Sequence, residues 1–353
     1  MDRRMWIDIL RGEGEWRTPL WSLVRASLYP AGLCYGALMR LRRWAYRKGV
    51  LPSMPATKNA PSPSRPAVIS VGNITTGGTG KTPMVAWIVR ELQSAGRRPG
   101  IVLRGYKARQ GRSDEAELLS QLTGAIVIVH ADRVVGAARA LAAGAEVIVL
   151  DDGFQHRRLR RDLDIVLIDA ADPFGLGYCL PRGLLREPPS ALADADAIVI
   201  TRGDLAGRAE LDALRSRLSR LAPKAAIFRA AHKPVAAVDG AGQRLAPSAL
   251  AGRKVFAFCG IGNPRSFLHA LAELGARVVG QCILEDHSEY TPQLLEELSA
   301  LAGQAEAQLA VTTQKDYVKI APNQFELPLW QLAIEMDVIE GREQLARMME
   351  PYE

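Results

Sequence analysis

The chain has 353 residues, enough for one large or two medium domains, and its 48% apolar and 24% charged residues exclude wholesale disorder and collagen-like structure. Its four cysteines, Cys34, Cys179, Cys259 and Cys282, lie far apart without a C-x-x-C pair. That argues against a zinc knuckle, a thioredoxin-type site or a secreted disulfide framework, and for a reducing compartment. Of the net charge of +7, residues 1–50 supply +6 from ten Lys/Arg against four Asp/Glu, leaving about +1 for the rest, so no nucleic-acid partner is expected.

In chain order, Thr18-Pro19 reads as an N-cap followed by proline in the first turn of a helix. Leu20, Trp21, Leu23, Val24, Leu28, Leu33, Leu38, Met39 and Leu41 then form an apolar stretch. Arg25 and Arg40 bracket fourteen uncharged residues, fewer than a bilayer crossing requires, and Pro30, Gly32 and Gly36 are expected to weaken the helix. Arg40, Arg42, Arg43, Arg47 and Lys48, mixed with Trp44 and Tyr46, suit a helix lying on an anionic membrane surface, on its cytoplasmic side. A buried helical hairpin with a basic end and a tilted span are the other two readings. No short apolar segment leads into a small-residue cleavage site, so this is not a secretory signal.

Residues 51–66 are dense in Pro and Ser and read as a linker or surface loop. Short Val/Ile-rich runs follow at Ala67–Val71, Gly100–Leu103, Ala125–Val129, Glu146–Leu150, Ile165–Ile168, Ala197–Ile200, Ile227–Ala230, Val255–Cys259, Ala276–Val279, Leu309–Thr312 and Leu329–Ile334. Their weak alternation suits strands buried on both faces. Helical periods such as Met84–Ala95 and Pro292–Ala302 lie between them. The expectation is a doubly wound α/β fold: N-terminal surface helices and linker over 1–60, a parallel sheet with helices on both faces over 61–235, and a smaller α/β lobe over 236–353. The loop-rich stretch Arg229–Arg253 is the expected boundary.

The densest chemical signal is Gly72-Asn73-Ile74-Thr75-Thr76-Gly77-Gly78-Thr79-Gly80-Lys81-Thr82-Pro83, between a buried strand and a helix. Glycines let backbone N–H groups converge on phosphate oxygens, and the helix start adds a partial positive charge. Lys81 neutralises the outer phosphates and the Thr82 hydroxyl ligates Mg²⁺. The strict G-x-x-x-x-G-K-[ST] spacing wants glycine where this chain has Thr75. Partition-type ATPases carry a signature lysine where Thr76 stands, and the GTPase base reader N-K-x-D has only Thr313-Gln314-Lys315-Asp316, in the wrong order. Val147–Asp152 reads as a strand ending in metal carboxylates, Asp151 and Asp152.

These strings occur in order with Arg104-Gly105-Tyr106, Gly153-Phe154-Gln155-His156, Leu185-Arg186-Glu187-Pro188, Gly260-Ile261-Gly262-Asn263-Pro264, Asp286-His287 and Thr313–Asp316. The set resembles the tetraacyldisaccharide 4′-kinase family over roughly residues 18 to 335. The resemblance implies transfer of the ATP γ-phosphate to the 4′-hydroxyl of a tetraacyl glucosamine disaccharide 1-phosphate, with Mg²⁺, at the cytoplasmic face of the bacterial inner membrane. It also implies two α/β lobes with the site in the cleft between them. Under it, residues Thr75 to Thr82 (Thr75, Thr76, Gly77, Gly78, Thr79, Gly80, Lys81, Thr82) bind ATP, while Thr82, Asp151, Asp152 and Glu187 surround the metal. Asp114 is the general base, in Ser113-Asp114-Glu115-Ala116 where the family has Gly-Asp-Glu-Pro, with His287 as its partner. Lys81 completes the catalytic set. Arg104, Tyr106, Arg133, Gln155, His156, Arg186 and Lys315 line the cleft toward ATP or the substrate's 1-phosphate. Two alternatives stand beside this one: a membrane-associated P-loop ATPase switch that phosphorylates no small molecule, and a soluble kinase for a small polar sugar. Oligomeric state is not legible.

Overall fold

The computed structural model describes residues 3–12, 14–56, 67–105, 113–286, 288–320 and 325–350. These form two compact units, Met1–His232 with Met336–Glu353, and Lys233–Glu335.

The first unit is built on parallel strands β1 (Ala67–Asn73), β2 (Pro99–Leu103), β3 (Ile126–Val129), β4 (Val147–Asp151), β5 (Leu163–Asp169) and β6 (Ala197–Thr201), ending on the first part of β7 (Ala226–Val238). Their order is β3-β2-β4-β1-β5-β6-β7. β1 lies at the centre, with Val71 level with Asp151 of β4 on one side and Ile165 of β5 on the other. Every residue of β2, β4 and β6 is buried, the reason their sequences show continuous apolar runs rather than alternation. One face packs Met84, Val85, Ile88 and Val89 of α3 (Lys81–Ser94) against Ile69, Val71 and Val149. Part of the other face packs Phe154, Phe174 and Leu218 against Val166 and Ile198. Helices α4 (Asp114–Thr123), α5 (Arg133–Ala142) and α6 (Arg208–Leu221) complete the crossovers. All the strand runs expected from the sequence are strands.

The second unit carries β8 (Arg244–Leu245), β9 (Lys254–Cys259), β10 (Arg277–Ile283), β11 (Leu309–Thr313) and the start of β12 (Leu329–Glu340), with helices α7 (Pro264–Glu273), α8 (Pro292–Gln304) and the short α9 (Gln314–Tyr317). Strands β10, β9, β11 and β12 are parallel neighbours. Phe258 stacks on Phe325 within this core, 5.6 Å between ring centroids.

Two expectations on domain limits differ from what is observed. The change of unit falls inside the continuous strand β7, not in a loop. Residues from Met336 onward group with the first unit instead of the second: Val338 and, on α10 (Arg342–Met349), Leu345 and Met349 pack with Phe228. An apolar pattern identifies a strand without saying which core its two ends enter.

The N-terminal segment forms α1 (Arg3–Arg11) and the long helix α2 (Pro19–Arg47). Pro30, Gly32 and Gly36 do not interrupt α2. The two glycines are buried where the helix meets the loop before Arg186: a Cβ at Gly32 would lie 3.0 Å from the Cys179 carbonyl, and one at Gly36 3.3 Å from Cys179 Sγ. Tyr35 Oη donates to the Arg186 carbonyl at 3.0 Å. The basic cluster is partly turned inward. Arg43 and Arg47 pair with Asp194, and Arg42 donates to the Gln155 carbonyl. Much of what α2 leaves in solvent is apolar: Leu20, Leu23, Leu33, Leu38, Leu41 and Trp44 are each more than half exposed. Among the described residues no helix is long and apolar enough to cross a membrane, and the exposed leucines do not fit a buried hairpin.

Candidate functional site

β1 ends at Asn73, which is fully buried, and the chain then loops over the sheet edge into α3. Asn73 organises the loop: its Nδ2 donates to Thr79 Oγ1 at 3.0 Å, and its Oδ1 accepts from Lys81 Nζ at 3.4 Å and from Arg186. Gly80, at φ +87°, precedes α3 in the left-handed region, and a Cβ there would meet His232 Nε2 at 2.6 Å, so glycine is required on both counts. Thr75, by contrast, is bridged to Leu185 and has no positive φ, which explains why this loop does without glycine there. Thr76 N donates to the Leu184 carbonyl. Lys81 and Thr82 open α3, where unpaired backbone N–H groups and the helix dipole favour an anion.

Beside this loop, β4 delivers Asp151 and Asp152. Asp151 is 5% exposed, and its Oδ1 has no hydrogen-bond partner among the described residues. Burial raises its pKa, assisted by the charges of Glu115 and Asp152 and opposed by Lys81 and Arg133. Asp152, at φ +55°, turns outward and accepts from Arg186 through both oxygens, at 2.8 and 2.7 Å, with Lys81 Nζ at 3.6 Å. Burial alone would raise the Asp152 pKa, but the Arg186 hydrogen bonds and the Lys81 charge outweigh it and hold this carboxyl far below the usual range. A buried, unpartnered carboxylate oxygen next to a fully ionised carboxylate, with a hydroxyl residue, Thr82, in the first turn of α3, is the kind of donor set that suits Mg²⁺. That ion takes a few protein oxygens and completes its shell with phosphates and water. Among the described residues there is no cluster of three or more His, Cys, Asp or Glu able to hold a metal by itself.

The other expected residues divide. Glu187 is 2% exposed, but its carboxylate is engaged by Arg157 at 3.1 Å, and Arg157 also bonds Asp194 at 2.7 Å. In this structure Glu187 is thus held in a buried ion pair with Arg157. Arg133 is 3% exposed and donates to the carbonyls of His130 and Asp151, so it supports the end of β4 from within. Gln155 Nε2 donates to the Asn73 carbonyl at 2.8 Å. His156 is held near pKa 4 by burial and by the Arg133 charge, and is neutral at physiological pH. Arg104 is exposed, as is Asp114, the first residue of α4. Lys315 lies in the second unit, paired with Asp286 at 2.9 Å. Tyr106 and His287 lie outside the described residues.

A second set of contacts reaches the loop from β6, which the sequence does not announce. At the tip of β6, Thr201 Oγ1 donates to the Thr79 carbonyl at 3.0 Å and Arg202 Nη2 to the Gly78 carbonyl at 2.9 Å. Arg202 is locked by Asp169 from the tip of β5. The available signal was Thr201-Arg202-Gly203-Asp204, a closer approach to the order of a base-reading string than Thr313–Asp316.

The family model described as Tetraacyldisaccharide-1-P 4'-kinase (LpxK) matches residues 24–351. A tetraacyldisaccharide 4'-kinase from Anaeromyxobacter sp. (strain Fw109-5) is 40% identical over 304 residues, 80% of this chain and 81% of its own length. Another, from Syntrophotalea carbinolica, is 37% identical over 345 residues, 92% of this chain and 91% of its own. The crystal structure of the apo form of LpxK from Aquifex aeolicus in complex with ATP has a TM-score of 0.69 and 28% identity, covering 92% of this chain and 98% of that one. The agreement runs through both compact units, not the phosphate loop alone, and on that ground the chain belongs to the tetraacyldisaccharide-1-P 4'-kinase family.

Proposed function

We propose that this chain transfers the γ-phosphate of ATP to the 4′-hydroxyl of a tetraacyl glucosamine disaccharide 1-phosphate, using the residues gathered at the ends of β1 and β4. The observation that carries this reading is the group Lys81–Asp152–Arg186–Asn73 at the mouth of a glycine-rich loop: two cations already oriented by a carboxylate and an amide.

The loop residues Thr75 to Thr82 hold the triphosphate with backbone N–H groups, and Lys81 and Arg186 meet the charge that develops on the transferring group. Thr82, with Asp151 or Asp152, would hold Mg²⁺, which would supply neutralisation of phosphate charge. Asp114, aided by His287, accepts the proton of the attacking 4′-hydroxyl. Arg133, Gln155 and His156 act indirectly, by fixing the ends of β1 and β4. Arg104, Tyr106 and Lys315 serve the anionic parts of the substrates. Catalysis in this scheme comes mainly from positioning and charge neutralisation, as loose phosphoryl transition states require.

The apolar strip on α2 supports a further part of this reading: the protein rests on the inner-membrane surface, with leucines and Trp44 in the interface, and Arg40 and Lys48 at the headgroups. An acyl-chain-bearing acceptor is best met at such a surface.

The test is thin-layer separation of products after incubation with γ-labelled ATP, Mg²⁺ and the disaccharide 1-phosphate. Label on the glycolipid is expected, and label appearing only as inorganic phosphate would reject the kinase. In Asp114→Ala, glycolipid labelling should be lost; retained turnover would reject Asp114 as the base while leaving the activity in place.

A further inference from the structure

The backbone around Arg186 is fastened to α2 by two routes that the scheme above leaves without a task. Arg186 is held at both ends of its main chain: its N–H donates to the Ile74 carbonyl at 2.7 Å, and its carbonyl accepts from Tyr35 Oη of α2 at 3.0 Å. Partial burial raises the Tyr35 pKa above the ordinary 10, so the hydroxyl remains a donor. The next residue, Glu187, is buried and engaged by Arg157 at 3.1 Å. Arg157 is buried in turn. Its guanidinium lies over the Phe154 ring, 5.4 Å from the centroid, and its second arm reaches Asp194 at 2.7 Å. Asp194 ends the short helical turn Pro189–Asp194, and there Arg43 and Arg47 of α2 pair with it, Arg43 also donating to the Ser190 carbonyl.

We propose that Tyr35 and Arg157 are positioning residues for phosphoryl transfer, which fix Arg186 from the inner face of α2 so that its guanidinium meets the transferring group. The inference rests on the reading above, in which Arg186 neutralises the charge that develops on that group.

Geometry supplies the first argument. Three anchors on separate elements, Ile74 after β1, Tyr35 on α2 and Arg157 after β4, hold two consecutive residues. From that fixed point the Arg186 side chain runs to Asp152 and Asn73. A long cationic side chain is precise only when its root is held as well as its tip, and here both are. Energetics supplies the second. An ion network this buried repays little of its desolvation cost, and apolar side chains of similar volume are often as stable. What a guanidinium with two carboxylate partners and an aromatic ring against it does supply is a single geometry. The third argument is direction. Both routes end on α2, one through Tyr35 and the other through Asp194 to Arg43 and Arg47, and neither uses the exposed leucines. The two faces of this helix therefore have separate tasks, the outer one toward lipid and the inner one toward Arg186.

The test uses Tyr35→Phe, which deletes one hydroxyl, and Arg157→Lys, which keeps the charge and gives up the two-armed hold. Thermal unfolding verifies the fold of each variant. The kcat for glycolipid labelling should fall severalfold in Tyr35→Phe and about thirtyfold in Arg157→Lys, with the KM for ATP and for the disaccharide 1-phosphate within about twofold of the unaltered values, because the weakened contact belongs to the transition state. Both variants should co-sediment with anionic vesicles as the unaltered protein does. The decisive reading is taken in an Arg186→Ala background. There neither change should lower kcat further, since the residue through which both act is gone. Losses that multiply in that background, an unaltered kcat in the folded single variants, or a fall in activity that tracks a fall in vesicle binding each overturn the proposal. Continued labelling of the glycolipid in those variants would leave the kinase reading standing, whereas absence of glycolipid labelling in the unaltered protein would reject the kinase itself. If Arg157→Lys does not fold, Tyr35→Phe alone decides, by the same readings.

Discussion

The two sides of β1 carry matching charges put to opposite use. On the β4 side, Asp152 and Arg186 form an ion pair whose side chains are 39% and 21% exposed, joined by Lys81 at 20%. On the β5–β6 side, Asp169 and Arg202 form an ion pair at 14% and 5%. The first leaves its charges at the surface, where a ligand can compete for them. The second is largely buried, and its arginine is committed to a main-chain carbonyl. The same pair of residue types thus makes a reacting surface on one side and a brace on the other, and burial decides which.

Substitutions that separate chemistry from stability test this contrast most directly. Lys81→Ala should lower glycolipid phosphorylation by about 10³-fold or more with little change in the unfolding midpoint, since Lys81 is partly exposed and its role is charge neutralisation. Asp169→Asn should do the reverse in kind. Leaving Arg202 buried without its carboxylate should cost about 3 kcal/mol of stability, read by urea unfolding, and activity should follow the loss of folded protein. If Asp169→Asn were as stable as the parent, the brace would be no brace. A double change at the surface of α2, Leu38→Glu with Leu41→Glu, should reduce co-sedimentation with anionic vesicles severalfold and leave stability intact, as both side chains are more than half exposed.

The smallest expected effect is a pH slope. His232, behind Gly80, is held near pKa 4 by burial first and by the Arg202 charge second, below the ordinary 6.5. As pH falls, the unfolded chain takes up this proton before the folded one does. Stability contributed by the neutral ring is therefore full above about pH 6.5 and declines toward pH 4. In His232→Asn that part of the acid slope should vanish, measured as the change in urea midpoint between pH 7 and pH 5.

Much of this was legible in the residues. Val/Ile runs bounded by glycine and charge identified the strands because strands buried on both faces leave little else to be. Gly77 to Thr82 and Asp151-Asp152 were legible because their chemistry is local: the glycines, the lysine and the carboxylates act within a few residues of one another. The pairing of Glu187 was not legible because its partner, Arg157, is thirty residues away in sequence, and a carboxylate at a sheet edge reads the same whether or not an arginine holds it. Arg202 was missed for the complementary reason. Nothing in Thr201-Arg202-Gly203-Asp204 states that its side chains turn back onto Gly78 and Thr79, more than a hundred positions earlier. The inward turn of Arg42, Arg43 and Arg47 was hidden likewise, since a basic cluster looks alike whether it meets lipid or Asp194.

The segment from Cys179 to Arg186 touches both ends of this molecule's business. Its Cys179 carbonyl lies against Gly32 of the long helix, its Leu185 bridges both Cys179 and Thr75, and its Arg186 side chain reaches Asp152. The helix that carries the greasy strip and the turn that carries the glycines are thus bolted to opposite sides of one short strap. A displacement of that helix would be felt first at this strap, whose Leu185 and Arg186 are also its contacts to the turn and to Asp152.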